Sequence, residues 1–581
     1  MIWKRITAVA ATALLATTAA CGSPSDKAGS EDGEKIGGES VQSLTDPNAK
    51  GPAPEIKDVK KGGTITVLAN VTPDGFDPTM NYYVDASEIS KLYHRALTAL
   101  DIRNGKPVLV PDLAEDLGTV SSDKLTWTFK LKKGIKYHDG TEVKAEHYAY
   151  AIKRSFAHDL YNDGPSYQLT YFKDGDKYKG PYGPEGDKYT GVETPDNNTL
   201  VIHLAKPFPD LPFYASFPMF TPIPKEKDTK TNYEKAPMAT GPYQLDSYQP
   251  GVQLKLKKNP HWDPNSDPTR HQFADNWVFK FGLDLIKIQR QVLASSGPDA
   301  NAVNYDNLDS TLLPQTRGEA AKQLIKGDGP CVNFFTMDSR SIPLPVRRAV
   351  AKAFPYDTNR KVSGLTSLAD PPASTILPPS VQGYQKYEIP GLTGTGPGDP
   401  EAAKRLLKDA GQEGFLLKWY YSNDDNIATQ VSQARAQALE KAGFKVKQIG
   451  VPKANLRKLN NDQNGPVNIG KAPRGWCWDF PTPSSYFPVL FTSRAIAEGN
   501  SVGQLQDKAL DAEIDAFNAR PLEEQVKDAG KLDRRILENH LPALPLYYSY
   551  TAFPVGKNIG HAEVDPAFGM PNFVTMGLKQ P

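Results

Sequence analysis

The 581-residue sequence contains little cysteine and almost no net charge. Cys21, Cys331 and Cys477 are its three cysteines, and 68 lysines and arginines nearly balance 67 aspartates and glutamates. A chain without a basic excess lacks the electrostatic footprint of a nucleic-acid-binding protein. Beyond the first 20 residues no apolar run approaches the ~20 residues that a membrane-spanning helix needs. No histidine pair has metal-ligand spacing, and no GxSxG or HExxH motif occurs, so metal and hydrolase chemistry are disfavoured.

The first residues have the pattern of an export signal. A short basic start at 1–5 precedes a run of small and apolar residues at 6–20, and Cys21 follows directly. The segment is similar to the lipobox of bacterial lipoproteins, in which the cysteine is lipidated and becomes the new N-terminus after cleavage. Thr18 stands where that motif usually carries leucine. An ordinary cleaved signal with an incidental cysteine is the alternative.

Residues 21–59 are expected to form the lipidated cysteine and a flexible tether. They are rich in Gly, Ser, Asp, Lys and Pro and have few large apolar residues to bury. About 520 residues remain, more than one hydrophobic core usually sustains, so at least two lobes are expected. Cys331 and Cys477 are an even pair in an exported protein, which predicts one disulfide. Two free buried thiols are the alternative.

Alternating strand and helix patterns predict an α/β fold. Two glycines followed by alternating β-branched residues predict a strand at 64–68, and 125–131 alternates in the same way. Residues 162–189 are expected to form a surface excursion. Alternation of later strands and helices indicates βαβ units. The predicted helices are 86–97, 144–156, 344–354, 400–410, 427–442 and 522–537, with strands at 416–421 and 445–450.

A set of stretches becomes specific when the stretches are taken together and in order. They are 62–66 (GGTIT), 76–78 (FDP), 111–115 (PDLAE), 126–140 (TWTFKLKKGIKYHDG), 239–243 (ATGPY), 346–350 (VRRAV), 399–407 (DPEAAKRLL) and 475–480 (GWCWDF). In this order they resemble the extracellular solute-binding proteins of peptide ABC importers, the oligopeptide and dipeptide type. The resemblance covers nearly the whole body of the chain.

The resemblance implies a two-lobed periplasmic-binding-protein-like fold of type II, with an extra subdomain in lobe I and a ligand cleft between the lobes. Residues 1–20 are then the signal peptide. Lobe I is formed by 60–330 together with 546–581, and lobe II by 331–545. Hinge bending closes the lobes around the ligand in such proteins. The disulfide is expected to brace the ligand site from the cleft floor.

The stretch from Arg474 to Asp479 is the strongest candidate for the ligand site. By the resemblance, Asp479 anchors the free α-ammonium of a peptide, since a carboxylate desolvated in a closed cleft needs a cation. Trp476 and Trp478 offer flat apolar walls that tolerate varied side chains. Arg474 is a candidate partner for a ligand carboxylate. The alternatives are core tryptophans, an aspartate that caps a turn and a surface salt bridge for the arginine.

Further candidates lie on three other segments. Tyr82 and Tyr83 follow the Asp77-Pro78 turn, where members of the family often contact ligand. Trp419 and Tyr420 sit in a predicted strand, where adjacent side chains face opposite ways and core packing is the default. Asn304 belongs to the stretch 301–306, which is expected to offer backbone edges to an extended peptide. Two further stretches resemble functional motifs and are interpreted otherwise. His138-Asp139-Gly140 is expected to be a strand-to-helix turn and not a catalytic group. Residues 465–471 resemble a phosphate loop, but Ala472 stands where that motif requires Ser or Thr.

The predicted function is that of a substrate-binding lipoprotein. It is expected to sit lipid-anchored on the extracytoplasmic face of the cell membrane and to act as a monomer. It captures a peptide and delivers it to a membrane ABC permease, with no catalysis, cofactor or metal of its own. The alternatives are the same fold binding a glycoside, an opine or a metal chelate, a lipoprotein that senses peptides, and an exported hydrolase. Ligand length and side-chain preference are not readable from the sequence.

Overall fold

The structure is a computed structural model that describes residues 44–580 except 74, 162–163, 187, 366–369 and 498. The predicted export signal at 1–20 and Cys21 lie outside the described residues, as do residues 22–43 of the predicted tether. Within the described part of the chain, no helix combines the length and the apolar character that crossing a lipid bilayer requires.

The fold mixes helices and strands along its whole length, as the sequence predicts. The strands are β1 (Val59–Lys60), β2 (Thr64–Leu68), β3 (Thr98–Arg103), β4 (Lys106–Pro111), β5 (Thr119–Val120), β6 (Thr126–Lys130), β7 (Val192–Asp196), β8 (Thr199–His203), β9 (Tyr243–Gln249), β10 (Gln253–Lys258), β11 (Asn276–Lys280), β12 (Ala302–Asn304), β13 (Leu324–Thr336), β14 (Leu416–Ser422), β15 (Lys445–Val451), β16 (Gly475–Cys477), β17 (Ala543–Pro554), β18 (Ile559–Gly560), β19 (Val564–Asp565), β20 (Met570–Pro571) and β21 (Gly577–Lys579). The α-helices are α1 (Val84–Ser90), α2 (Ala145–Arg154), α3 (Tyr167–Tyr171), α4 (Leu211–Tyr214), α5 (Leu285–Ala294), α6 (Leu344–Ala353), α7 (Tyr356–Val362), α8 (Pro400–Asp409), α9 (Asn426–Lys441), α10 (Lys453–Asn461), α11 (Phe487–Leu490), α12 (Lys508–Asn518) and α13 (Leu522–Asn539).

The first lobe is built on a five-stranded sheet in the order β12-β2-β11-β10-β9. β2 pairs in parallel with β11 and β12, and Ile65 and Val67 of β2 are fully buried. Burial of two such side chains stabilises the sheet by roughly 2 kcal/mol each. Gly63 enters β2 with a φ of +82°, and a Cβ there would lie 2.7 Å from the Leu578 side chain. Only glycine fits this turn, which explains the glycine pair in the sequence.

An inserted subdomain grows from the first lobe and has its own core. Its four-stranded sheet has the order β5-β6-β8-β7, and β3 and β4 form a hairpin beside it. Trp127 and Phe129 of β6 point into this core, together with Ile152 of α2. The side chains of β6 alternate between buried and partly exposed positions, as the sequence pattern predicts.

The second lobe contains the predicted βαβ unit. β14 and β15 pair in parallel, and α9 connects them. The carboxylate of Asp425 accepts a hydrogen bond from the Ala428 N–H at 2.9 Å and so caps α9. Asp399 caps α8 in the same way, with Pro400 in the first turn, where its missing N–H costs nothing.

Two long strands connect the cores of the lobes. β13 pairs antiparallel with β17, from Leu324 opposite Pro554 to Thr336 opposite Ala543. At one end, buried Ile325 belongs to the core that contains the five-stranded sheet, whereas at the other end the buried side chains belong to the core of the second lobe. The two strands are therefore the main covalent connection across which the lobes can bend.

The predicted disulfide lies on this connection. β16 pairs with β13 so that Cys331 stands directly opposite Cys477, and the two sulfurs are bonded across a sequence separation of 146 residues. The pairing of β13 with β17 is interrupted between Asp328 and Val332, which includes the position of Cys331. The disulfide therefore joins β16 to β13 at the place where the pairing of β13 with β17 is interrupted.

The body of the protein begins earlier than the predicted tether allows. Leu44 is buried and hydrogen-bonds through its carbonyl to the Leu109 N–H at 2.8 Å. Asp46 forms an ion pair with Arg103, and Val59 pairs with Lys579 of β21. Residues 44–59 thus pack on the folded body rather than continue the tether, because a few apolar residues and backbone pairing suffice once a partner surface exists.

α1 ends about two turns before the predicted helix 86–97 would. The carbonyls of Leu92 and Tyr93 accept hydrogen bonds from the N–H groups of Thr240, Gly241 and Tyr243 at 2.9–3.0 Å. These tertiary bonds replace the intrahelical ones. The stretch therefore leaves the helical path although its apolar spacing is helical.

We expect the double substitution Cys331→Ala with Cys477→Ala to lower the free energy of unfolding by about 5 kcal/mol, because the disulfide closes a long loop in the unfolded chain. Urea denaturation measures the change, and Cys21→Ala serves as the control because it leaves the bonded pair intact. An unchanged denaturation midpoint for the double variant would contradict the expectation.

Candidate functional site

A large cleft lies between the second lobe and the first, with a cavity volume of about 1000 Å³. One wall is formed by Pro330 and residues 475–479, and the other by residues of the first lobe and its inserted subdomain. The lining residues of that other wall are Val71, Thr72, Asn81, Tyr82, Tyr83, Val84, Asp85, Ser87, Leu100, Ser216, Phe217, Pro218, Tyr305, Asp306, Asn307, Ala567, Phe568 and Met570. The cleft therefore brings Asp479, Trp476 and Trp478 together with Tyr82 and Tyr83, although about 400 residues separate the three from the two tyrosines.

Asp479 is the most chemically distinctive group in the cleft. Its Oδ1 accepts a hydrogen bond from the Tyr82 hydroxyl at 2.6 Å, and its Oδ2 accepts one from the Tyr167 hydroxyl. Both tyrosines come from the first lobe. No lysine, arginine or histidine of the described chain lies within ion-pair distance of this carboxylate. The charge is thus held by neutral donors alone.

Burial governs the protonation of this cluster. Loss of solvent raises the pKa of the Asp479 carboxyl, and the two tyrosine hydrogen bonds act in the opposite direction. Burial and the neighbouring carboxylate raise the pKa of Tyr82 and of Tyr167, so both remain hydroxyl donors. Asp479 is therefore a partly buried carboxylate that has two hydroxyl donors and, among the described residues, no basic partner.

Trp476 of β16 and Trp478, which directly follows that strand, are fixed by their indole N–H groups. Trp476 donates to the Ser485 carbonyl at 2.9 Å, and Trp478 donates to the Ser380 hydroxyl at 3.0 Å. Both ring systems line the cleft, Trp476 half-buried and Trp478 buried. The hydrogen bonds leave flat apolar faces in fixed positions.

A second cavity of about 550 Å³ lies within the second lobe, on the Arg474 side of β16. Trp419, Tyr420 and Arg474 line this cavity and not the cleft described above. Burial lowers the pKa of Arg360 and of Arg435, that of Arg435 to about 9, and both line the cavity together with Lys453 and with Asp425 as its one carboxylate among the described residues. The cavity is therefore strongly cationic.

Residues just after Asp479 extend from the second lobe into the inserted subdomain. The Phe480 ring lies 5.2 Å from the Tyr167 ring and 5.6 Å from the Phe217 ring, between centroids. The buried carboxylate of Asp210 accepts hydrogen bonds from Thr482 at 3.2 Å and from Ser484 at 2.6 Å. These contacts hold the lobes together beside the ligand cleft.

Asn304 lies away from both cavities among the described residues. Its side chain is buried in the sheet, where its Nδ2 donates to the Leu68 carbonyl at 3.0 Å and its Oδ1 accepts from Gln289. Asp306, two residues further on, lines the cleft instead. The two residues would share one face of a regular strand, but β12 ends at Asn304 and Asp306 lies in a bend after it, so strand alternation does not fix the direction of the Asp306 side chain.

Sequence reasoning missed Tyr167, which lies in the stretch predicted to be a surface excursion. This stretch contains α3, which begins with Tyr167 and places its hydroxyl on Asp479. The many tyrosines between 162 and 189 were the available signal, since a solvent-exposed loop rarely needs so many aromatic rings.

The fold and the cleft are those of a class of protein: two-lobed binding proteins that enclose a ligand between their lobes. A family model for bacterial extracellular solute-binding proteins, family 5, matches residues 108–498. The chain belongs to this family. The predicted resemblance and the predicted two-lobed fold with an interlobe cleft are thereby confirmed, and the family acts outside the cytoplasm.

Individual relatives agree with the family assignment. The chain is 25% identical over 550 residues to the dipeptide-binding protein of Escherichia coli K12, which covers 89% of this chain and 95% of the relative. Among solved structures it is similar to the clavulanic acid biosynthesis oligopeptide binding protein 2, at 25% identity and a TM-score of 0.79, over 92% of this chain and 99% of the other. A dipeptide binding protein from Pseudoalteromonas sp. SM9913 in complex with Met-Leu shares the fold at 17% identity and a TM-score of 0.62, over 89% of this chain and all of the other. These relatives are substrate-binding proteins and not enzymes.

We expect Asp479→Asn to stabilise the ligand-free protein near neutral pH. Burial raises the pKa of Asp479 in the folded state, whereas the carboxyl of the unfolded chain ionises near pH ~4. The free energy of unfolding of the parent therefore falls as the pH rises from ~4 through the raised pKa, and a neutral side chain removes that loss. Calorimetric melting temperatures at about pH 4 and about pH 7 measure the difference, which should be larger at about pH 7. Asp246→Asn, at an exposed position, is the control, and an equal effect of Asp479→Asn at both pH values would contradict the expectation.

We expect Phe480→Ala to shift the ligand-free protein toward an open arrangement of the lobes. Removal of a buried phenylalanine costs about 3–5 kcal/mol of packing, and here the packing is between lobes. Small-angle X-ray scattering should show a larger radius of gyration. Phe517→Ala, equally buried but within the second lobe, should destabilise the protein without this change. Identical scattering of Phe480→Ala and the parent would count against a contact that holds the lobes together.

Proposed function

We propose that the protein captures peptides in the interlobe cleft and delivers them to a membrane ABC permease. The observation that carries the proposal is the partly buried Asp479 carboxylate, which lines a cleft of about 1000 Å³ and, among the described residues, is bonded by two tyrosine hydroxyls and by no basic side chain. A buried charge without a counter-charge is costly, so the site favours a ligand that supplies a cation. The α-ammonium of a peptide is such a group.

The walls of the cleft suit a ligand of variable side chains. Trp476, Trp478 and Phe217 offer aromatic surface that packs without demanding one shape. The adjoining strand β16 and the segment after β12 can offer backbone hydrogen bonds to an extended chain. Affinity would then come from contacts with the ammonium group and the backbone of the peptide, and the cleft would accept peptide side chains of different kinds.

The far end of the ligand is proposed to point toward Arg474. Asp479 is five positions after Arg474 in the sequence, so their Cα atoms are at most ~18 Å apart. A peptide of a few residues in extended form spans this distance. Arg474 and Arg435 repel each other in this cavity, so an anionic partner such as a ligand carboxylate would be favourable there. Trp419 and Tyr420 are proposed to line the same end, whereas Tyr82 and Tyr83 lie at the ammonium end.

The relatives support this proposal by what their names state. One binds dipeptides, one is an oligopeptide binding protein, and one was solved with Met-Leu. We propose further that Cys21 is lipidated, that residues 1–20 are a signal peptide, and that the protein works as a monomer held on the extracytoplasmic face of the membrane. The protein itself would catalyse nothing, and ATP hydrolysis would belong to a separate subunit of the importer.

The lobe assignment is part of the proposal. Lobe I consists of 60–330 with 546–581, and lobe II of 331–545. Asn304 is proposed to act through the backbone of its strand, since its side chain is committed to the Leu68 carbonyl. A role in sensing peptides, rather than importing them, would use the same cleft.

We expect unblocked peptides of two to about ten residues to raise the melting temperature, and N-acetylated versions to have no effect. Saturation at about 100 times the dissociation constant adds ~2.7 kcal/mol to the free energy of unfolding, which a thermal-shift measurement resolves. Asp479→Ala should weaken binding of unblocked peptides by about 3–5 kcal/mol, because it removes one member of a buried charge pair.

The control for the variant is Asp246→Ala, which removes an exposed carboxylate outside the cleft. Equal affinity of Asp479→Ala and the parent would reject the ammonium anchor. If no peptide binds the parent protein, the ligand is instead a glycoside, an opine or a chelate, and the peptide proposal fails.

A further inference from the structure

The cleft carries charge of one sign. Its described lining residues include the carboxylates of Asp85, Asp306 and Asp479, and none of them is lysine, arginine or histidine. Arg474 and Arg435 line the other cavity, and Lys91, whose Nζ lies 5.6 Å from the centroid of the Phe568 ring, is paired with Glu88 and Asp565. An α-ammonium that binds Asp479 leaves Asp306 without a cation among the described lining residues.

We propose that the cleft selects peptides that carry a positively charged side chain, and that Asp306 is the acceptor for that side chain. This inference rests on the proposed function, in which Asp479 takes the α-ammonium. It adds a second cation subsite and thereby a ligand class: peptides with lysine, arginine or another basic residue.

Asp306 is held in place by neutral donors. Its Oδ2 accepts the Asn70 N–H at 2.7 Å and the Asn304 amide at 3.4 Å, and its Oδ1 accepts the Val71 N–H at 3.1 Å. No basic side chain of the described residues forms an ion pair with it. These hydrogen bonds orient the carboxylate, but a carboxylate has about four acceptor positions, so capacity remains on the side that faces the cleft.

The environment makes the missing counter-charge costly. Asp306 is half-buried, and burial raises its pKa, although three donors act to lower it. Asp85 adds a further negative charge to the same cavity, and its Oδ1 accepts the Ala86 N–H at the start of α1. Walls of one sign in a partly desolvated cleft concentrate cations and repel anions.

The apolar walls suit the stem and head of a basic side chain. Tyr82, Tyr83 and Phe568 line the cleft on the same side as Asp306. The methylene groups of lysine and arginine pack on such surface, and a guanidinium gains further from an aromatic face. An acidic side chain would find no lysine, arginine or histidine among the described lining residues.

The test compares tetrapeptides with free N-termini in which one position varies among arginine, citrulline, lysine, norleucine and glutamate. Citrulline has nearly the shape of arginine without its charge, and norleucine resembles lysine in the same way. Calorimetric titration of the purified protein should give at least tenfold tighter binding of the charged member of each pair at one position. The preference should shrink as salt is raised, and the glutamate peptide should bind most weakly.

The outcomes separate this inference from the proposed function. If arginine and citrulline peptides bind equally at every position, the basic-peptide inference fails while peptide capture stands. If no tetrapeptide binds, the proposed function fails first. Both results come from the unsubstituted protein and depend on no variant folding correctly.

A variant then assigns the subsite. Asp306→Asn should bring the ratio of arginine to citrulline affinity close to one and leave the citrulline peptide within about threefold of its parent affinity, since a neutral amide keeps the shape. Asp309→Asn is the matched control, because Asp309 also caps backbone N–H groups but does not line the cleft. An equal loss for both peptides in Asp306→Asn would show a structural role only and would overturn the assignment.

Discussion

The structure depends on an electrostatic constraint: a carboxylate of the second lobe is buried against hydroxyl donors of the first. Asp479 reaches across the cleft to Tyr82 and Tyr167, so its solvation is completed only when the lobes meet. The same constraint makes the closed arrangement incomplete, because hydroxyl dipoles compensate a full charge only in part. A cation that enters between the lobes both relieves the charge and favours closure, and the two events become one equilibrium.

Contacts that do not involve ligand set the baseline of this equilibrium. Phe480 packs among the rings of the inserted subdomain, and Asp210 accepts hydrogen bonds from Thr482 and Ser484. Because these contacts follow Asp479 directly in the sequence, the proposed ammonium anchor and the contacts between the lobes belong to one continuous segment. The disulfide at Cys477 attaches that segment to β13. Ligand contact and lobe contact are therefore mechanically coupled through a few residues of one segment.

The local sequence pattern predicted the helices and strands well. It failed where contacts between distant parts of the chain decide the structure. β2, α8 and α9 follow from alternation, capping aspartates and a proline in the first turn, all of which act within a few residues. α1 ends earlier than its pattern predicts because the carbonyls of Leu92 and Tyr93, just after the helix, accept hydrogen bonds from N–H groups that are distant in the sequence. In the site, the Trp-Asp stretch was accessible through its resemblance to a family. Tyr167 and Asp306 were not, since Tyr167 lies in a segment without periodicity and Asp306 lies in a bend after the end of β12.

The placement of Trp476 and Trp478 has an optical consequence. The sequence contains seven tryptophans, and these two line the cleft with their indole N–H groups bonded to Ser485 and Ser380. A ligand that displaces water from their faces changes the polarity that the excited indoles sense. Their emission should shift to shorter wavelength as the cleft fills, whereas that of Trp277, which is buried in the first lobe, stays constant. The protein thus carries a built-in fluorescent reporter of its own occupancy, and no dye or label is needed to follow binding in real time.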